Sequence, residues 1–268
     1  MPNHVRNILV IDVSESSLTL SEVVDRITSI SPKTGEVLLD FEAIVGKRPE
    51  DLDIEESMKG HLGYEFYCNL LKTKRADTPI KRRNWIRKYI ADQPKPEDER
   101  GAKNLMDAKT LGEYLDLGKL YYENEKKYGL GIHTWYDWNC KNFGTKWDAY
   151  DQSWGKSGEQ YDTIKFNTAW STPHPIYETL GRIFPGVKFS VDYAVEFLGD
   201  YSGTIDIHGD EFVETDMSAG AVPWNEALTF ACKVWDGTPE DFGYRINPDT
   251  GEYEYHSEDE EEEEESGE

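Results

Sequence analysis

The alternation and clustering of hydrophobic positions along this chain predict most of its elements. Residues 5–13, from Val5 to Val13, form a short β-branched run closed by Ser14 to Ser17, which predicts a first strand. Thr19 and Glu22 have the spacing of a capping box, and Leu20, Val23, Val24 and Ile27 share one helical face behind them. Arg26 to Ile30 fit either the end of that helix or one arm of a hairpin. Ile30 to Glu36 contains Pro32 and Gly35 and reads as a turn into a strand at Val37–Phe41.

From about residue 56 to 130 the β-branched runs disappear, and Lys, Glu, Tyr and Leu dominate, with breaks at Pro79, Pro94 and Pro96. This predicts a helical insertion. Strands are expected to return at Thr145–Tyr150 and at Ile164–Trp170, where apolar and polar positions alternate. Thr172 before Pro173 has the form of an N-cap with a first-turn proline, and Ile176, Tyr177, Leu180, Ile183 and Phe184 make the stripe of a packed helix stopped at Pro185-Gly186. The clearest period of two follows: Val187, Phe189, Val191, Tyr193, Val195 and Phe197 point one way, Lys188, Ser190, Asp192 and Glu196 the other. Turns at Tyr201–Gly203 and near Gly209, with Ile205, Ile207, Phe212 and Val213, extend this into an antiparallel meander. Trp224, Leu228, Ala231 and Trp235 have helical spacing, and Asn247 to Gly251 is a hairpin turn within Tyr244–Tyr255.

Charge adds a tail to this picture. The 268 residues carry a formal -24, yet Glu252 to Glu268 alone hold 11 acidic residues and no Lys or Arg. The low-complexity Glu run is self-repelling, so 252–268 is expected to be disordered and 1–251 to form one domain containing the insertion at about 56–130. No apolar run approaches the roughly 18 residues that span a bilayer, and the start lacks a signal-peptide layout. Three scattered cysteines, Cys68, Cys140 and Cys232, suit a reducing compartment, so a cytoplasmic protein is expected.

Four ordered segments resemble the YubB-type ferredoxin-like family of phage and plasmid proteins. Trp138 to Ala149, with Gly144-Thr145-Lys146-Trp147 at its centre, resembles that family's "W…NWGTKWNA" segment. Met1 to Asn7 resembles its start, Phe41–Val45 followed by Pro49–Leu52 its "FDFNKIIPMPEEL", and Phe166–Pro173 its "FDTAWSPP". Phe143 stands where the family usually has Trp, and Lys47-Arg48 interrupt its "PMP". The resemblance implies an α+β fold with a ferredoxin-like core, a mostly antiparallel sheet and two packed helices. It also implies a mobile-element origin, with the host cytoplasm as location, and no transferable activity. Thr145 and Trp147 are expected to share a strand face packed on Trp170, as structural contacts rather than a ligand pocket.

Candidate chemistry is sparse. His133 and Asp137 have helical spacing with Cys140 near, but Trp135 to Trp138 reads as strand or loop, and no second Cys or zinc spacing accompanies them. His208 and Asp210 flank Gly209 at a turn, where Asp and Gly serve the backbone. Gly129-Leu130-Gly131 is half a dinucleotide fingerprint, and no phosphate-binding Gly-rich loop exists. No catalytic residue, cofactor or metal is expected. The informative segment is basic: Lys72, Lys74, Arg75, Lys81, Arg82, Arg83, Arg87 and Lys88 face one acid, Asp77, with Trp85 and Tyr89 interleaved. Such a segment either pairs with the protein's own carboxylates or contacts phosphates and a stacked base.

These features give two expectations. The first is a non-enzymatic accessory protein of a phage or other mobile element, binding a host protein with a basic surface and antagonising a defence or nucleic-acid-handling factor. The alternative is a nucleic-acid-binding module that uses 72–88 and is autoinhibited by the acidic tail.

Overall fold

The computed structural model describes residues 3–72, 78–92, 107–156 and 162–256. The chain starts with β1 (His4–Asp12), α1 (Leu20–Ile27), a small hairpin of β2 (Thr28–Ile30) and β3 (Val37–Leu39), and the short α2 (Phe41–Val45). A 3-10 turn at Glu50–Leu52 leads to α3 (Met58–Lys72), α4 (Pro79–Asp92), α5 (Ala108–Tyr128) and α6 (Trp135–Asn142). Then come β4 (Tyr150–Gly155), β5 (Thr163–Ala169), α7 (His174–Ile183), β6 (Lys188–Val195), β7 (Ser202–His208) and β8 (Glu211–Asp216). The chain closes with α8 (Trp224–Val234), a second 3-10 turn at Pro239–Phe242 and the hairpin β9 (Tyr244–Ile246) and β10 (Tyr253–Tyr255). Two compact units result, one from residues 1–47 with 139–268 and one from 48–138.

The first unit is built on a six-stranded sheet ordered β4-β5-β1-β6-β7-β8, antiparallel at every neighbouring pair. Its inner part, β1-α1-β4-β5-α7-β6 with β1 between β5 and β6, is the βαββαβ arrangement of a ferredoxin-like α+β fold. The meander β7–β8 widens the sheet on one side, through the two-residue turn at Gly209 and Asp210. β1 alternates as expected: Val5, Asn7, Leu9 and Ile11 are buried, and the positions between them are half-exposed. Phe41, Phe166, Ile176, Leu180, Phe184 and Val23 are fully buried with them. Phe41 meets Phe143 and Phe166 edge-to-face, at 5.4 and 6.1 Å between centroids, so Phe143 fills the core. Ala231 and Val234 of α8 pack on Ala194 with Ile8 and Trp235 alongside.

One core position is polar. Asn7 is fully buried, and its amide donates to Val5 O and Thr168 Oγ1, both at 3.0 Å. Its Oδ1 accepts from Thr172 Oγ1 at 2.5 Å and Tyr177 Oη at 3.0 Å, so the group is satisfied on every side.

Several expectations are corrected here. Thr172 does not cap α7; its hydroxyl is turned into the core on Asn7, and Pro173 takes the N-cap position with no side-chain cap. β6 ends at Val195, and Phe197 is 56% exposed in the following turn. Thr145 to Ala149 is a loop rather than a strand, because Thr145 Oγ1 donates to Ala169 O at 2.7 Å and accepts from Ala169 N at 3.1 Å, replacing ladder bonds with a side chain. Trp135–Asn142 is helical: the Asp137 carboxylate reaches back to the N–H groups of His133 (2.9 Å) and Thr134 (3.0 Å), as the third residue of a helix does. Residues 252–256 are part of the described fold, since Tyr253–Tyr255 pairs with Tyr244–Ile246; the remainder of the acidic tail lies outside the described residues. Arg26 to Ile30 proves to be both alternatives in turn, helix to Ile27 and hairpin arm from Thr28.

The second unit contains the predicted helical insertion. α3 and α5 cross with backbones in contact: a Cβ on Gly63 would lie 2.1 Å from Tyr114 O, and one on Gly118 2.0 Å from Gly63 C. Only glycine permits that approach. Tyr67, Leu70 and Leu115 form the core, with Phe66, Trp85 and Ile86 packed against it.

Candidate functional site

The basic segment divides according to the faces of α4. Arg82, Trp85, Ile86 and Tyr89 fall three and four residues apart and therefore share one side of the helix. That side is engaged. Arg82 Nη2 donates to Gly112 O at 2.8 Å and to Asp116 Oδ1 at 2.6 Å. Trp85 lies half-buried against Phe66 (6.1 Å) and stacks on Tyr89 at 5.2 Å and 19°. Its indole is a packing group rather than an open stacking platform.

The rest of the segment faces water. Arg83, Arg87 and Lys88 are exposed, and their side chains make no hydrogen bond or ion pair with another described residue. Lys81 is half-buried and engaged, and Lys72 is exposed at the end of α3. Lys74, Arg75 and Asp77 lie outside the described residues. α4 has one acid of its own, Asp92, at its end. Arg83 and Arg87, one turn apart with Lys88 beside them, thus form a cationic strip whose geometry suits repeated anionic groups.

His133 sits in an aromatic chamber of the second unit. Its ring stacks on Tyr121 at 5.2 Å and 12° and touches Tyr64 and His61 at 4.8 and 5.9 Å. Nε2 is 3.7 Å from Glu125 Oε1 and Nδ1 is 3.8 Å from Asp137 Oδ2, beyond hydrogen-bond reach on both sides. His133 and Asp137 are therefore neighbours, as helical spacing suggested, with the aspartate occupied by backbone. Tyr64 donates to Glu125, which raises the phenol pKa, and burial adds to that. Cys140 is half-buried in the other unit. Among the described residues no group of three or more His, Cys, Asp and Glu side chains is placed to hold a metal ion.

Two depressions lie on the first unit. A trough of about 470 Å³ opens over β1, β6, β7 and β8, with Asp12, Lys188, Asp206, His208, Glu211 and Val213 in its lining. Lys188 Nζ is held by Glu15 at 2.5 Å, while Asp206 and Glu211 have no hydrogen-bond or ion-pair partner among the described residues, so the trough is acidic. A smaller one of about 230 Å³ is lined by Glu178, Arg182 and Asp210 among others. His208 and Asp210 thus face different depressions.

The loop from Gly144 to Ala149 presents a further group that periodicity misplaced. Trp147 is exposed, not packed inside, and Lys146 Nζ lies 4.8 Å from its centroid and 5.0 Å from that of Trp170. Asp148 accepts from Phe41 N at 3.1 Å and Ala149 N at 2.7 Å. Burial pushes its pKa up to about 7, against the opposing effect of those two donors.

Sheet order and paired helices define an α+β protein with a ferredoxin-like core. Within it, residues 146–236, from the loop before β4 through α8, match the family model described as the ferredoxin-like domain in Api92-like protein. A crystal structure of the protein api92 from Yersinia pseudotuberculosis aligns with 82% of this chain and 99% of that chain, at 13% identity and a TM-score of 0.31. No curated protein matches the chain.

Proposed function

We propose that this is a non-enzymatic binding protein that holds nucleic acid through the phosphate backbone, using the cationic strip of α4. The observation that carries the reading is the exposure of Arg83, Arg87 and Lys88 without a side-chain ion pair among the described residues, in a chain with many more acids than bases. Cations on an acidic protein have carboxylates available to pair with, and that no described carboxylate takes these three supports contact with an external polyanion. Because Trp85 is packed on Phe66, contact at α4 is to phosphates and independent of sequence. The acidic tail competes for the same cations.

The test is anisotropy of a labelled single-stranded oligonucleotide at about 50 mM salt, where such contacts are strongest. Ending the chain at His256 strengthens binding, and charge reversal of Arg83 and Arg87 together weakens it at least tenfold and flattens its salt dependence. Absence of binding by the truncated protein at that salt would sink the reading.

A second reading is favoured by the acidic trough, where the side chains of Asp206 and Glu211 have no partner among the described residues. A host protein with a basic surface would be drawn to it, and the YubB-type resemblance supports a phage or other mobile-element origin and a place in the host cytoplasm. Affinity capture from host lysate at low salt, lost in an Asp206→Asn, Glu211→Gln variant, is the corresponding test.

A further inference from the structure

β8 is the last strand of the six-stranded sheet, and no described strand pairs with its outer edge. The hairpin from β7 turns in the two residues Gly209 and Asp210, with Gly209 at a φ of 62°, so His208 and Glu211 form a hydrogen-bonded pair and every second pair after them does too. Met217 N donating to Ser202 O at 2.9 Å keeps that phase to the end of the strand. The backbone groups of Glu211, Val213 and Thr215 are thus engaged by β7. Those of Phe212, Glu214 and Asp216 point outward and make no hydrogen bond to another described residue. Sheet edges are commonly closed by a bulge, a proline, a lysine or a very short strand, whereas β8 runs six residues in unbroken register with neither proline nor lysine. The opposite edge is treated differently: the side chains of Gln152 and Trp154 on β4 hold the β2–β3 hairpin against it. What β8 carries is acid, Glu211, Glu214 and Asp216, beside the trough lined by Asp206, Glu211 and the 49% exposed Val213.

From this arrangement we propose that β8 is a strand-addition site: an extended basic segment of a partner protein pairs with its outer edge as a further strand, and alternate Lys or Arg side chains of that segment lie over Val213 with their charges on Asp206 and Glu211. The proposal rests on the acidic-trough reading above and gives the partner its form, an extended strand rather than a folded basic patch. The outward N–H and C=O groups of Phe212, Glu214 and Asp216 supply affinity that does not depend on side chains, and the trough supplies the choice among strands. Glu214 is already taken by Tyr193 and His174, so the open charges are Asp206 and Glu211. The acids also exclude other occupants. Pairing of β8 with a second copy of itself sets either Glu214 opposite Glu214 or Asp216 opposite Asp210, like charges that a cross-strand pair disfavours. The run Glu260–Glu265 of the chain's own tail meets the same repulsion.

The probe is a capped eight-residue peptide with Lys at alternate positions and Thr or Val between them, added to the full chain at about 50 mM salt, where exposed charges are little screened. At saturating peptide, amide exchange at Phe212, Glu214 and Asp216 is expected to slow at least tenfold, with Glu211, Val213 and Thr215 left as they were. Affinity is expected to fall at least tenfold when the peptide's Lys residues are replaced by Glu, and in the Asp206→Asn, Glu211→Gln variant. Two N-methylated peptides, each blocking one alternate set of N–H groups, separate backbone pairing from charge. A strand turns only one set toward β8, so one version is expected to lose binding at least tenfold and the other to keep it. Equal binding by the two methylated versions, or unmoved exchange at the three outward amides, would overturn strand addition; if the exchange of Lys for Glu still weakens binding, the acidic-trough reading stands. Loss of charge dependence altogether would overturn the strand site as well, and capture from host lysate then decides the trough reading on its own.

Discussion

Gln152 acts as a strand partner for Leu39: its Oε1 accepts from Leu39 N at 2.7 Å and its Nε2 donates to Leu39 O at 2.9 Å. The same docking extends two residues either way along the chain, with Trp154 Nε1 donating to Val37 O of β3 at 2.9 Å and Asp148 accepting from Phe41 N at the start of α2. Alternate backbone positions of the small hairpin are thus tied to the sheet edge by side chains, since β4 itself pairs only with β5 in the sheet. Gln152→Ala is expected to leave both Leu39 groups unpaired and to lower stability by about 1–3 kcal/mol. The denaturation midpoint reports the loss, and hydrogen exchange at Leu39 localises it.

Ionisation of Asp148 is expected to oppose folding. Its folded pKa, raised from 3.8 to about 7, means that the folded chain binds the proton more tightly than the unfolded one across that window. Its contribution is fully present below the unfolded value and is lost as pH rises toward 7, by roughly 2 kcal/mol after allowance for partial exposure. Asp148→Asn removes this slope. Subtracting the variant's stability-versus-pH curve from the wild type's isolates the residue, because Asp12 and Glu22, with lowered pKa values, slope the other way.

Gly63→Ala and Gly118→Ala are each expected to force α3 and α5 apart and to cost 1–3 kcal/mol or more. Gly112→Ala, on the same helix as Gly118 but with nothing within 4 Å of its added Cβ, is expected to gain about 0.5–1 kcal/mol from helix propensity. Urea titration of the three variants checks the contrast, and equal effects at all three sites would contradict it.

Asn7→Leu is expected to be costlier than its size suggests, about 2–4 kcal/mol, because the hydroxyls of Thr168, Thr172 and Tyr177 lose a buried partner together. Tyr177→Phe removes one donor and leaves Asn7 Oδ1 its bond from Thr172, so about 1 kcal/mol is expected. Thermal unfolding of the two variants ranks them.

Local signals read well from sequence. The Thr19–Glu22 box forms in both directions, and the alternation in β1 and β6 marks the sheet's centre. The pattern of apolar and polar positions fails where a side chain does the work of backbone. Lys146 and Trp147 alternate like a strand, yet Thr145 replaces the ladder, and nothing local tells Gln152 that its partner lies at Leu39. Thr134 and Asp137, at capping-box spacing, mark the helix at Trp135, and the aromatic composition around them masks it. In the candidate site the cations were visible. Which ones are engaged was not, because Arg82 and Trp85 are distinguished from Arg83 and Arg87 only by the packing of α4 on α3 and α5. The exposure of Trp147 leaves no trace in periodicity at all.

The place of residues 48–138 in the sequence, between the two stretches that make the other unit, orders events during synthesis. β1 is made well before either of its partners, Thr163–Ala169 and Lys188–Val195: Val5 pairs with Thr168 and Val195. The helices between 48 and 138 depend on near neighbours and can close while the ribosome is still translating the second half of the chain. β1 therefore waits for a partner longer than any other described strand, and for that interval the nascent chain carries a closed helical unit while the sheet to which β1 belongs has still to be made.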